Sequence, residues 1–312
     1  MKIVVTGGAG FLGSHLCDKL IEQEHQVICV DNLITGDEKN ISHLEANPNF
    51  KFINHDVSWG LPEGMVADQI YHMASPASPN KNNPKSYIAH PFETMKINTM
   101  GTMKLCEQAV KMGAKFLFAS TSEVYGNPLE HPQKETYNGN VSINGPRACY
   151  DESKRFGETI VSAYVRSKGL DGVIVRIFNT YGPRMADDGR VVIEFVKAVM
   201  EDKPLPVFGD GKQTRSFCYV SDMVDGLIAA MGKGEKGEVY NLGNPIEFTI
   251  LELAQKVKEL AGSKSEVEHL PLPEDDPKQR CPDITKAKEK LGWESKVNLE
   301  EGLKKLIQHI SH

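Results

Sequence analysis

Ile3-Val4-Val5-Thr6-Gly7-Gly8-Ala9-Gly10-Phe11-Leu12-Gly13 stands at the start of this chain, and Val27-Ile28-Cys29-Val30-Asp31-Asn32 answers it one helical stretch later. Together they read as strand, glycine-rich turn, helix and second strand, the last ending in an acid. Glycines at 7, 10 and 13 keep side chains away where a backbone approaches a pyrophosphate and where the following helix packs on the sheet. The phosphates of a dinucleotide belong at the N-terminus of the helix that starts near Phe11 and Leu12. Asp31 lies eighteen residues beyond Gly13. At the end of the second strand, with Asn32 beside it, its carboxylate can bond ribose hydroxyls and repel a 2'-phosphate, which favours NAD over NADP.

The 312 residues suffice for one large core or two unequal lobes. Net charge is -6, so no basic excess invites nucleic acid, and an anionic substrate needs locally placed arginines. Six cysteines are scattered without a Cys-x-x-Cys pair, which fits a reducing, cytoplasmic setting and argues against zinc. The ten histidines are dispersed, with His72 read as structural, and no metal constellation is expected. There is no signal peptide and no apolar run long enough to span a membrane.

Further along, strands and helices keep alternating, which predicts an α/β fold: a Rossmann-type doubly wound parallel sheet with a smaller, mainly C-terminal α/β substrate-binding domain. Residues 1–178 and 218–244 are expected in the NAD-binding domain, 179–217 and 245–312 in the smaller one. Phe50-Lys51-Phe52-Ile53-Asn54 delivers Asp56-Val57, a plausible adenine contact, although Asp56 also reads as a plain turn residue. A fourth strand ends at Ala74, and the prolines of Ser75-Pro76-Ala77-Ser78-Pro79 leave a stiff loop where ligands bind in open parallel sheets. Phe92 to Met112 reads as a long helix whose Gly101 implies close approach of another backbone and whose Asn98 braces neighbouring loops.

A fifth strand, Lys115 to Ser120, runs into Thr121-Ser122-Glu123, two hydroxyls and a carboxylate at the carboxyl end of a central strand. Tyr150 and Lys154 are four apart and share one helical face. A phenol of pKa ~10 is a poor base at neutral pH, and a neighbouring ammonium favours its phenolate and can hold a nicotinamide ribose. Asn179-Thr180-Tyr181-Gly182-Pro183-Arg184 follows a sixth strand. Arg215 is a candidate diphosphate ligand, since a guanidinium forks onto two oxygens, or else a solvated surface charge. Ser221 or Asp222 is expected to cap a helix.

Along essentially its full length the chain resembles the extended short-chain dehydrogenase/reductase family, through Thr6 to Gly13, the Tyr150/Lys154 pair and Asn179 to Pro183. Within it, His72 to Pro79, Thr121 to Gly126, Gly145-Pro-Arg-Ala-Cys-Tyr-Asp-Glu152 and Arg280-Cys-Pro-Asp283 are similar to the enzymes that decarboxylate UDP-glucuronic acid to UDP-xylose. That resemblance implies oxidation at C4, loss of the C5 carboxylate as carbon dioxide and re-reduction by a tightly bound NAD. It implies Tyr150 as the base with Lys154 as its electrostatic partner, and Ser122, with Thr121 nearby, orienting the C4 oxygen. Glu123 and Arg280 would surround the C5 carboxylate, or else form a structural salt bridge. Asn179, Arg184, Arg215 and Tyr219 are implied on the nucleotide side, with Arg184 alternatively reaching the sugar carboxylate. A homodimer packed through helices near Gly101–Met112 and Phe156–Tyr164 is implied as well. The alternatives are a UDP-sugar (uronate) 4-epimerase and a non-catalytic nucleotide-sugar or NAD-binding sensor.

Overall fold

In the computed structural model, which describes residues 1–271 and 279–311, the first part of the chain alternates regularly. It runs β1 (Lys2–Thr6), α1 (Phe11–Glu22), β2 (Gln26–Asp31), β3 (Phe50–Asn54), β4 (Gln69–His72), α2 (Pro91–Lys96), α3 (Thr102–Met112), β5 (Lys115–Thr121), α4 (Ala148–Lys168) and β6 (Gly172–Ile177). The second part is more broken: β7 (Thr180–Tyr181), α5 (Val191–Met200), β8 (Leu205–Phe208), β9 (Thr214–Ser216), β10 (Cys218–Tyr219), α6 (Val220–Lys233) and β11 (Val239–Leu242). It closes with β12 (Glu247–Thr249), α7 (Ile250–Ala261), β13 (Val267–Leu270), β14 (Gln279–Arg280), α8 (Thr285–Leu291) and α9 (Leu299–Ile310).

Seven strands form one parallel sheet in the order β3-β2-β1-β4-β5-β6-β11. Strand order reverses between β1 and β4, and a crevice outside the carboxyl ends of the strands is the expected ligand position at such a switch point. Both faces of the sheet are covered, which explains why its strands are continuous apolar runs rather than alternating ones. Ile3 and Val5 belong to one core with Leu16 and Leu20 of α1, while Val4 between them belongs to the other core with Leu105 of α3 and Ile160 of α4. The predicted α/β architecture is therefore the one observed, with three small sheets beside the large one among the described residues.

The stretch expected as one long helix is interrupted. Between α2 and α3 the chain makes a π-turn over Ile97–Gly101. A Cβ on Gly101 would lie 3.2 Å from Ser58 Cα and 2.8 Å from the Ile97 side chain, so the close backbone approach is real. The widened turn aims Asn98 at α4: its amide donates to Ser153 Oγ, which in turn donates to the Tyr150 carbonyl. On the other side of the contact, Gly157 leaves room for Phe118 and the Asn98 carbonyl.

Elsewhere β9 is the centre of a three-stranded sheet, antiparallel to β12 and parallel to β14. In that register Arg280 lies beside Arg215. The expected cap of α6 is corrected. Tyr219 is the N-cap residue and offers no side-chain bond, while the Asp222 carboxylate accepts the backbone N–H groups of Lys296 and Val297, tying the C-terminal segment to α6. Thr249 and Glu252 make a reciprocal capping box on α7. Among the described residues no helix is long and apolar enough to cross a membrane.

Candidate active site

A cleft of about 1290 Å³ runs across the carboxyl ends of the sheet strands. At one end lies the glycine turn. Gly7 has φ +71°, and a Cβ there would sit 2.7 Å from the Ala74 backbone. A Cβ on Gly13 would run into the Gly7 carbonyl, so only bare backbone fits between β1, β4 and α1. Gly7, Gly10, Phe11, Leu12, Gly13, Asp31, Asn32, Asp56, Val57 and Ala74 all line the cleft. Asp31 is buried at the tip of β2, and its oxygens accept the N–H groups of Ala9 and Leu33. Asp56 serves both readings, lining the cleft while its carboxylate accepts the N–H of Ser58 and caps a short turn. This bare-backbone cradle, with a carboxylate at the second strand, fits a dinucleotide without a 2'-phosphate.

Midway along the cleft, Tyr150 and Lys154 project from the first turns of α4 and are both buried. Tyr87 stacks on Tyr150 with ring centres 4.7 Å apart and planes 5° from parallel. Lys154 donates to the Ala119 carbonyl at 2.7 Å, and its ammonium lies 5.8 Å from the Tyr150 ring centre. Burial dominates both groups. It pulls Lys154 down to about 7, against the pull of Glu158, and pushes the Tyr150 hydroxyl well up, with Thr121 beside it working the other way. Burial thus outweighs the expected effect of the ammonium on the phenol. His72, buried between Thr6 and Thr102 and pulled down to about 3 by burial and by Lys154, is a neutral structural residue.

Beside this pair stands a charge cluster. Glu123 is gripped on one side by Arg280 and on the other by Arg147. Arg280 is buried, donates to the Gly126 carbonyl at 2.8 Å and, more weakly, to Ser122 Oγ at 3.4 Å, and leaves its Nε unpartnered. Burial alone would push the Glu123 carboxyl up, but the two guanidinium groups outweigh it and hold the group at about 2. The salt bridge between Glu123 and Arg280 is therefore present. Gln133 positions it, its backbone N–H and side-chain oxygen bracketing Cys281 next to Arg280.

Thr121, Ser122, Asn179, Arg184, Arg215 and Arg280 line the cleft too. Tyr219 does not; it is buried against Tyr181 and Gly302, away from the ligand space, because β10 turns its ring toward α9. That nucleotide-side expectation is corrected. Arg184 adopts the left-handed backbone region, φ +62°, and pairs with Asp18 of α1 at 2.7 Å, which places it at the glycine-turn end rather than at Glu123 and Arg280. Sequence reasoning gave no role to Arg147, Tyr87 or Asp151. Arg147 and Asp151 stood in the quoted motif at helical i, i+4 spacing, a usable signal, whereas nothing marked Tyr87.

The sequence model of the NAD dependent epimerase/dehydratase family matches residues 3–243. The chain belongs to that family. Beyond the common epimerase/dehydratase frame, it is 54% identical over 308 residues to UDP-glucuronic acid decarboxylase 1 of Arabidopsis thaliana, covering 98% of this chain and 69% of the relative. It is 51% identical over 311 residues to UDP-glucuronic acid decarboxylase 1 of Danio rerio, covering 99% and 72%. Among solved family structures, the UDP-glucuronic acid 4-epimerase of Bacillus cereus, in complex with UDP-glucuronic acid and NAD, superposes with a TM-score of 0.87 at 31% identity, covering 100% of this chain and 99% of that one.

Proposed function

We propose that this epimerase/dehydratase family member is an NAD-dependent UDP-glucuronate decarboxylase. The observation that carries the reading is the juxtaposition of the Tyr150/Lys154 pair with the Glu123, Arg147 and Arg280 cluster in one cleft, in a chain half identical to decarboxylases over nearly its whole length. A carboxylate on C5 does not leave while its electron pair has nowhere to go. A ketone at C4 accepts that pair as an enolate. NAD, held by the glycine turn and Asp31, would supply the hydride acceptor and donor for C4.

In this reading Tyr150 accepts the C4 hydroxyl proton as the hydride departs and gives it back on re-reduction. Lys154 holds the nicotinamide ribose and steadies the developing phenolate, while Ser122 and Thr121 orient the C4 oxygen. Arg280 and Arg147 receive the C5 carboxylate, and the Glu123 anion between them keeps it from settling in the ring plane. Cleavage needs the breaking bond aligned with the carbonyl π system, so orientation is a rate term. Asn179 and Arg215 serve the diphosphate end, with Arg184 near the cofactor.

We further propose an interleaved pair of lobes, 1–178 with 218–244 and 179–217 with 245–312, and a homodimer through α3 and α4. Exposed Met103 and Phe156 on those helices, with Met100 in the π-turn, support the dimer. Six free thiols, five of them buried, support a reducing compartment, the cytoplasm.

The test is to incubate purified protein with UDP-glucuronic acid, with and without added NAD, and to follow carbon dioxide and the sugar product. Carbon dioxide with UDP-xylose is expected. A C4 epimer that keeps its carboxylate would overturn the reading in favour of a uronate 4-epimerase.

A further inference from the structure

Decarboxylation has a proton requirement that the hydride cycle does not meet. Tyr150 borrows the C4 hydroxyl proton and returns it, a net of zero. The substrate is a carboxylate and the product carries hydrogen in its place, so each turnover consumes one proton from outside while carbon dioxide leaves. Glu123 is a poor source, because its two guanidinium partners keep it ionised.

Behind the charge cluster lies a second cavity, of about 260 Å³. Glu123, Arg147 and Arg280 line it and also line the main cleft, so these three side chains form the partition between the two spaces. The far walls come from the loop after β5, at Asn127, Asn140 and Ser142. At a liquid share of about 30 Å³ per water, the space admits several. Asp151 of α4 faces this cavity and not the main cleft. It is 7% exposed, and its Oδ1, buried, has no hydrogen-bond partner.

We propose that Asp151 supplies, through water in this side cavity, the proton that C5 takes up after carbon dioxide leaves. The proposal rests on the decarboxylase reading. The C5–carboxyl bond breaks and its electron pair becomes the enolate. That pair then forms the C5–H bond with a proton from a water at the partition, the resulting hydroxide takes the Asp151 proton, and Asp151 is recharged from solvent through the cavity. Burial and the neighbouring Glu123 raise the Asp151 carboxyl to about 7, against the opposing pull of Arg147 and Arg280, with Glu152 adding to the rise. Tyr87, Cys149 and Tyr150 also feel its charge. A carboxyl so placed is partly protonated near neutral pH and can release that proton. As it acts through water, Asp151 is a positioning and supply residue.

The experiment runs the last steps backwards. UDP-xylose is incubated with the NAD-loaded enzyme in deuterium oxide; NADH absorbance reads the hydride step and proton NMR reads exchange at C5. Wild-type enzyme is expected to exchange one C5 hydrogen, and Asp151→Asn to exchange it at least about tenfold more slowly while still forming NADH. Exchange in Asp151→Asn within about twofold of wild type overturns the proposal. A second measurement follows the forward reaction. In a single turnover of UDP-glucuronic acid by wild-type enzyme, the decay of transient NADH must slow as pH rises through about 7. Decay that is flat across that range also overturns it. Lys154 titrates in the same window, so the slowing must be absent in Asp151→Asn. If wild-type enzyme releases no carbon dioxide at all, it is the decarboxylase reading that falls; release with undiminished exchange in Asp151→Asn removes only the role of Asp151.

Discussion

Glu123 is an anion wedged between two cations, and its substitution separates binding from bond cleavage. Glu123→Gln keeps the shape but frees Arg147 and Arg280 to hold the substrate carboxylate more tightly. The expected outcome is a lowered KM, hydride transfer still visible as NADH, and carbon dioxide release slowed about 10²-fold, read by stopped-flow absorbance beside a carbon dioxide assay. Lys154 makes the opposite trade. Its folded-state pKa is depressed by burial, so between about 7 and the ordinary lysine value the unfolded chain binds a proton that the folded chain does not. Stability contributed at this position therefore rises with pH through that window. Lys154→Met should abolish turnover by at least about 10²-fold. It should also raise the urea midpoint near pH 7, with the gain over wild type shrinking as pH climbs toward 10; a gain that is constant with pH contradicts the buried ammonium.

At the scale of elements, the turn from β1 into α1 is the least tolerant part of the chain. Gly7→Ala puts a side chain at φ +71° and against the Ala74 backbone. It should cost about 1–2 kcal/mol for the left-handed conformation alone and leave purified protein without its bound NAD, which an ultraviolet spectrum reads directly. This turn was legible in the sequence because its signal is local: three glycines, two apolar runs and an acid at fixed spacing. The Tyr150/Lys154 face was legible for the same reason, one helical turn between two residues. The π-turn at Ile97–Gly101 was not, because its cause is the approach of Ser58 and α4 from elsewhere in the chain. Strands of two or three residues such as β12 and β14 carry too little periodicity to read, and they exist through their pairing. Tyr219 was misplaced on the same account. Its neighbours in sequence approach the cleft, but the packing of α9 decides where its ring goes.

For the whole molecule, Met100, Met103 and Phe156 leave apolar area on one side, between 43% and 52% exposed. Light scattering is expected to give about twice the 34.6 kDa chain mass, and Phe156→Glu to give the chain mass itself; a wild-type monomer at working concentration refutes the dimer. The family match ends at residue 243, and Tyr150 and Lys154, the pair proposed for the redox step, lie before that point. Arg280 comes from beyond it and enters the cleft on a two-residue strand laid parallel to β9. In the proposed reading, the tail thus completes with Arg280 a carboxylate site whose other members, Glu123 and Arg147, belong to the frame itself. On that reading the outcome of one oxidised intermediate is decided where a late, short strand meets a loop fixed early in the chain.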